Sequence, residues 1–176
     1  MRFQKTKIAG LFVIEHEPIR DERGFFCRSF CETELAKQGL VTHFPQENIS
    51  FNQKRGTLRG LHFQKDPYGE IKIVTCLAGK VFDVVVDLRP DSESFQQYFS
   101  IELSTDRPQS LYIPRGLAHG FLTLQDSSLL NYHMSENFQP AAASGLRWND
   151  PAFQIAWPFD PQVISSKDQA YPDFQP

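Results

Sequence analysis

The segment IKIVTCLAGKVFDVVVDLRP, residues 71 to 90, limits the fold of this chain more than any other. Two runs of β-branched and aromatic residues flank Ala78-Gly79-Lys80, a pattern that predicts two strands joined as a hairpin, and Pro90 ends the second run. Further strands are predicted at 7 to 14, 24 to 30, 46 to 52, 58 to 64, 97 to 103, 109 to 113, 118 to 124 and 129 to 134, each bounded by Gly, Pro, Asp or Ser. Helical periodicity is confined to CETELAKQGL, residues 31 to 40, which Gly39 would close. Many short strands at regular spacing predict an all-β chain folded as a β-sandwich or jelly roll, whose interior is commonly a ligand cavity.

A chain of 176 residues fits one domain spanning residues 1–176, and at this length roughly 68–70% of the unfolded surface can be buried. The net charge of −3 comes with no basic block, so no nucleic-acid partner is expected. Cys27, Cys31 and Cys76 form an odd set without CxxC spacing, which argues against a disulfide framework and against zinc and places the chain in a reducing, cytoplasmic setting. The apolar run before Glu15 is too short for a signal sequence or a membrane span, so no membrane partner is expected either.

Residues two apart in a strand share a face. Lys72 therefore points with Val74 and Cys76, and Asp83 points with Val85, away from Phe82, Val84 and Val86. A charge in so apolar a strand either reaches solvent, as an edge-strand gatekeeper does, or meets an opposite charge. Of the five histidines, His16 in the EHEP turn and His43 before Pro45 read as solvated loop residues. His133 and Tyr132 are neighbours in LLNYHMSEN and must face opposite sides of a strand. His62 in GTLRGLHFQ and His119 in IPRGLAHGF lie among turn glycines and apolar strand residues, which places a site between those two segments.

Metal chemistry is not expected there. A metal-binding cupin needs a His-x-His pair with a nearby Glu and a later His, whereas GLHFQ has Phe63 and Gln64 where the second ligand should stand. A nucleophile elbow, a P-loop and a dinucleotide glycine fingerprint are also absent from the sequence. Acid and base chemistry remains.

In order along the chain, DERGFF (21 to 26), QENIS (46 to 50), GTLRGLHFQ (56 to 64), IKIV (71 to 74), DVVVDLR (83 to 89), IPRGLAHGF (113 to 121), NY (131 to 132), LRWNDP (146 to 151) and SSKD (165 to 168) resemble the dTDP-4-dehydrorhamnose 3,5-epimerase family. The resemblance implies a metal-free jelly roll of the cupin type with one or two short helices. It further implies no cofactor, a nucleotide-linked 4-keto-6-deoxy sugar as substrate, and a homodimer whose early strands complete the neighbouring site. On the same ground His62 is the expected base, Asp168 the carboxylate paired with it, Tyr132 the acid on the other face and Lys72 the cation beside the C4 oxygen, with Asp83 as its buried neighbour. Arg59 and Arg23 would hold the diphosphate, and Gln46, Asn48 and Phe26 the nucleoside. His119 and Asp83 would support the pocket floor.

Several positions depart from the family pattern. Arg28 stands in place of a glutamate near the nucleotide, Glu70 in place of a glutamine ahead of Lys72, Phe138 in place of a tyrosine, and Ala142, Ala143 and Ser144 where a glutamate is usual. Arg28 and Phe138 thus join the expected recognition residues. An intact reaction centre within an altered shell leaves open another nucleotide, inversion at C3 or C5 alone, or a 3,4-ketoisomerase.

Overall fold

Both faces of the strands around Gly79 are apolar, so each strand needs cover above and below and a neighbour on either side. In the computed structural model, which describes residues 1–175, this requirement is met by two stacked sheets. The elements are β1 (Arg2–Lys5), β2 (Phe12–Glu15), β3 (Ile19–Asp21), β4 (Gly24–Phe26), α1 (Glu32–Lys37), β5 (Gln46–Asn52), β6 (Thr57–Gln64), β7 (Lys72–Ala78) and β8 (Lys80–Asp87). They continue with β9 (Tyr98–Ser104), β10 (Gln109–Ile113), β11 (Leu117–Thr123), β12 (Ser128–Met134), β13 (Ala143–Gly145), β14 (Val163–Ile164) and α2 (Ser166–Gln169). One sheet runs β1-β2-β10-β7-β12-β5 and the other β13-β6-β11-β8-β9, with β14 added in parallel to β6 and β3-β4 standing apart as a small ribbon. The architecture is the expected all-β jelly roll.

The hairpin expected at Gly79 does not form. β7 pairs with β10 and β12, whereas β8 pairs with β11 and β9, so the chain crosses from one sheet to the other at this corner. Gly79 adopts φ +72, and a Cβ there would lie 2.5 Å from Ser128 Oγ. Glycine is needed on both counts.

Alternation sorts the core as the sequence indicates. Val74 and Cys76 of β7, Leu111 and Ile113 of β10, and Leu130 of β12 meet Val81 and Val85 of β8, Leu117 and Phe121 of β11, and Leu103 of β9 between the sheets. Val84 and Val86 face the other way, where Leu146, Phe153 and Trp157 from the C-terminal third cover them. Ile14 and Ile73 are covered by Leu35 of α1 with Phe30 and Phe44.

Three expectations change. Of the strand expected at 7 to 14 only the end is extended, as part of β2: residues 7–10 form a bend and turn ending at Gly10 (φ +80), and β2 pairs with β1, which precedes the expected strand. The strand expected at 24 to 30 stops at Phe26. His16 is buried, not solvated: it is 7% exposed, its Nε2 lies 3.0 Å from Ser110 Oγ, and Ser110 Oγ lies 2.5 Å from Thr75 Oγ1.

Burial lowers the His16 pKa below the usual imidazole value. The folded state therefore resists a proton that the unfolded chain accepts, so the associated stability is present above about pH 6.5 and is lost as pH falls below it. The urea midpoint is expected to drop between about pH 7 and pH 5, and His16→Gln should flatten that drop. An equally steep fall in the variant would exclude His16 as its source.

Candidate active site

Between the two sheets lies a cavity of about 750 Å³ lined by β6 and β11 on one side and by β5, β7 and β12 on the other. Strict alternation would turn Arg59 and His62, three residues apart on β6, to opposite faces. Both nevertheless line the cavity. His119 pairs with His62 while Phe121 pairs with Arg59, so two steps on β11 span three on β6, and the resulting bulge brings both side chains inward. Glycines allow the two backbones to approach: a Cβ on Gly60 would lie 2.6 Å from Gly120 Cα, and one on Gly120 would lie 2.7 Å from the Arg59 carbonyl.

His62 Nε2 meets Asp168 Oδ1 at 2.7 Å, and the Gly60 N–H donates to Asp168 Oδ2 at 3.2 Å. Asp168 arrives from α2, whose first turn is capped by Ser165 Oγ accepting the Asp168 N–H. Burial alone would raise the Asp168 pKa, but the hydrogen bond and charge interaction with His62 outweigh it and hold the carboxyl below its usual value. With Nε2 committed to a carboxylate, Nδ1 is the ring nitrogen left with a free lone pair.

Across the cavity, Tyr132 projects from β12, while His133 turns away to stack on Phe30. The Tyr132 ring meets the edge of His119 at 6.0 Å between centroids. His119 Nε2 lies 3.0 and 2.9 Å from the two oxygens of Asp83, which is fully buried beneath it. Burial raises the Asp83 pKa against the opposing pull of His119. Burial, with the Asp83 charge adding to it, also pushes the Tyr132 phenol well above its ordinary pKa.

Lys72 is buried in the centre of its sheet, not at an edge, and its Nζ lies 2.9 Å from Glu70 Oε1 and 3.2 Å from the His62 carbonyl oxygen. The expected partner was Asp83. That carboxylate is taken by His119, and Glu70, two residues before the lysine, supplies the direct countercharge. Among the described residues no group of three or more His, Cys, Asp or Glu side chains is placed to hold a metal ion.

The family profile described as dTDP-4-dehydrorhamnose 3,5-epimerase matches residues 5–176. The chain belongs to this family. A dTDP-4-dehydrorhamnose 3,5-epimerase of Methanothermobacter thermautotrophicus is 42% identical over 172 residues, covering 96% of this chain and 91% of the relative. The crystal structure of the Bacillus anthracis dTDP-4-dehydrorhamnose 3,5-epimerase with TDP and PPi bound superposes with a TM-score of 0.94 at 37% identity, covering 98% of this chain and 99% of that one. The Legionella pneumophila dTDP-6-deoxy-D-glucose-3,5-epimerase, solved in complex with dTDP-4-keto-L-rhamnose, gives a TM-score of 0.90 at 35% identity with 99% of each chain covered.

Most residues expected from the epimerase resemblance converge on the cavity. Arg59 Nε donates to Asn52 Oδ1 at 2.8 Å, and the Gln46 amide nitrogen donates to Asn48 Oδ1 at 3.2 Å. Gln46 Oε1 accepts the Phe138 N–H at 3.0 Å, which holds Phe138 at the rim. Asp83 is not among the residues lining the cavity: its carboxylate is fully buried and pairs with His119. Arg23, Phe26 and Arg28 are not brought to this pocket within one chain. Arg23 pairs with Asp21 on the β3-β4 ribbon, Phe26 is 77% exposed on the same ribbon, and Arg28 pairs with Glu34 of α1 at 2.9 Å.

Sequence reasoning missed Tyr171 and Lys167, which line the cavity from the C-terminal segment. The Tyr171 ring packs 6.2 Å from that of His62 and lies over Gly145, where a Cβ would approach it to 2.4 Å. Lys167 sits inside the SSKD motif beside Asp168, and that adjacency was the available signal. Tyr171 had none, since no strand periodicity reaches it.

Proposed function

We propose that this protein inverts C3 and C5 of a dTDP-linked 4-keto-6-deoxy sugar by proton removal and return. The observation that carries this reading is the placement of a carboxylate-paired imidazole and a protonated phenol on opposing sheets around one cavity. The C4 ketone acidifies the hydrogens on C3 and C5. His62, oriented by Asp168, removes one of them through Nδ1, and the electron pair moves onto the C4 oxygen. The buried Lys72 ammonium stabilises that oxyanion. Tyr132 returns a proton to the opposite face of the ring, which inverts the carbon.

Arg59 binds the diphosphate, while Gln46, Asn48 and the rim residue Phe138 contact the nucleoside. Arg23, Phe26 and Arg28 serve the site of a second subunit. Support for a homodimer comes from exposed apolar side chains on β5, an edge strand, where Ile49 and Phe51 are 69% and 57% exposed, and on the ribbon, where Ile19 and Phe26 are 74% and 77% exposed. Three free cysteines favour a reducing, cytoplasmic setting, and among the described residues no helix is long and apolar enough to cross a membrane.

In deuterated water the protein should introduce deuterium at C3 and C5 of dTDP-4-keto-6-deoxyglucose, with inversion at each labelled carbon followed by NMR. The CDP- and GDP-linked sugars should react at least ~10-fold more slowly. Absence of exchange on all three would end the epimerase reading, and faster exchange on another nucleotide would reassign the substrate.

A further inference from the structure

The buried carboxylates of this chain obey one rule with a single departure. Both oxygens of Asp83 meet His119, and those of Asp87 meet Arg89, Ser92 and Ser94. Asp150 accepts the N–H groups of Ala152 and Phe174, and Asp168 accepts from His62 and Gly60. Glu70 differs. Its side chain is 4% exposed and Oε1 meets Lys72, but among the described residues Oε2 has no hydrogen-bond partner. A buried carboxylate with an unmet oxygen costs stability, so the fold alone does not account for it.

Its location does. Glu70 and Lys72 both line the cavity, and the lysine Nζ is held from two directions, by Glu70 Oε1 at 2.9 Å and by the carbonyl oxygen of His62 at 3.2 Å. An ammonium carries three N–H donors. One is donated to the His62 carbonyl, and the Glu70 carboxylate draws the ammonium to its side as an ion pair. A lysine on a flexible four-carbon stem gains little as an oxyanion donor unless something fixes the ammonium before the charge develops.

We propose that Glu70 is a positioning residue that sets the Lys72 ammonium, together with the His62 carbonyl, so that a free N–H is presented to the C4 oxygen of the substrate. The inference rests on the proposed role of Lys72 in enolate formation. The necessary feature is one oxygen at the Oε1 position, and among the described residues nothing depends on Oε2. Glutamine therefore satisfies the requirement: its amide oxygen can accept from Lys72, while its NH2 group replaces an oxygen that has no partner. Alanine removes the anchor. The catalytic consequence lies in the step that builds charge on C4, and the nucleotide, bound elsewhere in the cavity, is indifferent to the change.

The test compares Glu70→Ala, Glu70→Gln, Lys72→Met and the double variant Glu70→Ala/Lys72→Met in the full-length protein. Deuterium exchange into the sugar is followed by NMR and dTDP affinity by calorimetry. Glu70→Ala should lower the exchange kcat on the order of 30-fold, with KM and the dTDP Kd changed less than ~3-fold. Glu70→Gln should stay within ~3-fold of wild type, and Glu70→Ala should cost less than ~3-fold when Lys72 is already methionine. The proposal is overturned if Glu70→Ala is as active as wild type, if Glu70→Gln falls as far as Glu70→Ala, or if the alanine costs as much without the lysine as with it. Failure of the underlying function looks different, because the wild-type protein would then exchange no deuterium at all.

Discussion

Replacing His62 with alanine is expected to lower deuterium incorporation at both C3 and C5 by ~10³-fold or more, because of the two carboxylate-paired imidazoles on that side of the cavity His62 is the one open to it, 43% exposed against 4% for His119. The fold should survive. The His62 side chain is 43% exposed, so little apolar surface is lost, and Asp168 keeps its hydrogen bond from the Gly60 N–H. A thermal midpoint close to wild type together with the lost exchange would separate catalysis from stability. Exchange within tenfold of wild type in a folded His62→Ala protein would mean that the base lies elsewhere.

Tyr132→Phe is expected to reduce inversion by ~10²-fold while proton removal by His62 continues. Deuterium should then enter with retention, since the proton returns from the face it left. The ratio of exchange to inversion, read from one NMR time course, measures this directly, and an equal loss of both would remove Tyr132 from the acid role. The phenylalanine ring fills nearly the same volume, so packing against His119 is kept. The raised phenol pKa adds a pH expectation. A folded-state pKa above the ordinary 10.0 keeps the phenol protonated across the neutral range, so inversion should show no alkaline decline from this group below about pH 10.

Strand and face assignments were largely readable because alternation is a local property. Lys72 with Val74 and Cys76, Asp83 with Val85, and Tyr132 against His133 all take the sides that a period of two requires. Pairing partners were not readable to the same degree. A glycine between two apolar runs is equally compatible with a hairpin and with a corner between sheets, and burial on both faces of β7 and β8 selects the corner. His16 misled for a related reason: its neighbours Glu15 and Glu17 are polar, but Ser110, 94 residues away, supplies the buried partner. β13, β14 and α2 are too short to carry a period.

Site residues separate along the same line. The chemical inventory was present in the sequence, since the ordered motifs carry His62, Lys72, Tyr132 and Asp168 with the glycines that let β6 and β11 approach. The tertiary structure decided the bulge that turns Arg59 and His62 into one cavity, the choice of Glu70 over Asp83 as the partner of Lys72, and the delivery of Asp168 and Tyr171 from the C-terminal segment to His62. Side-chain alternation and turn chemistry act over a few residues and are written in the order of the chain. Ion pairs, register shifts and cavity walls join residues up to 108 positions apart and arise only when the sheets have stacked.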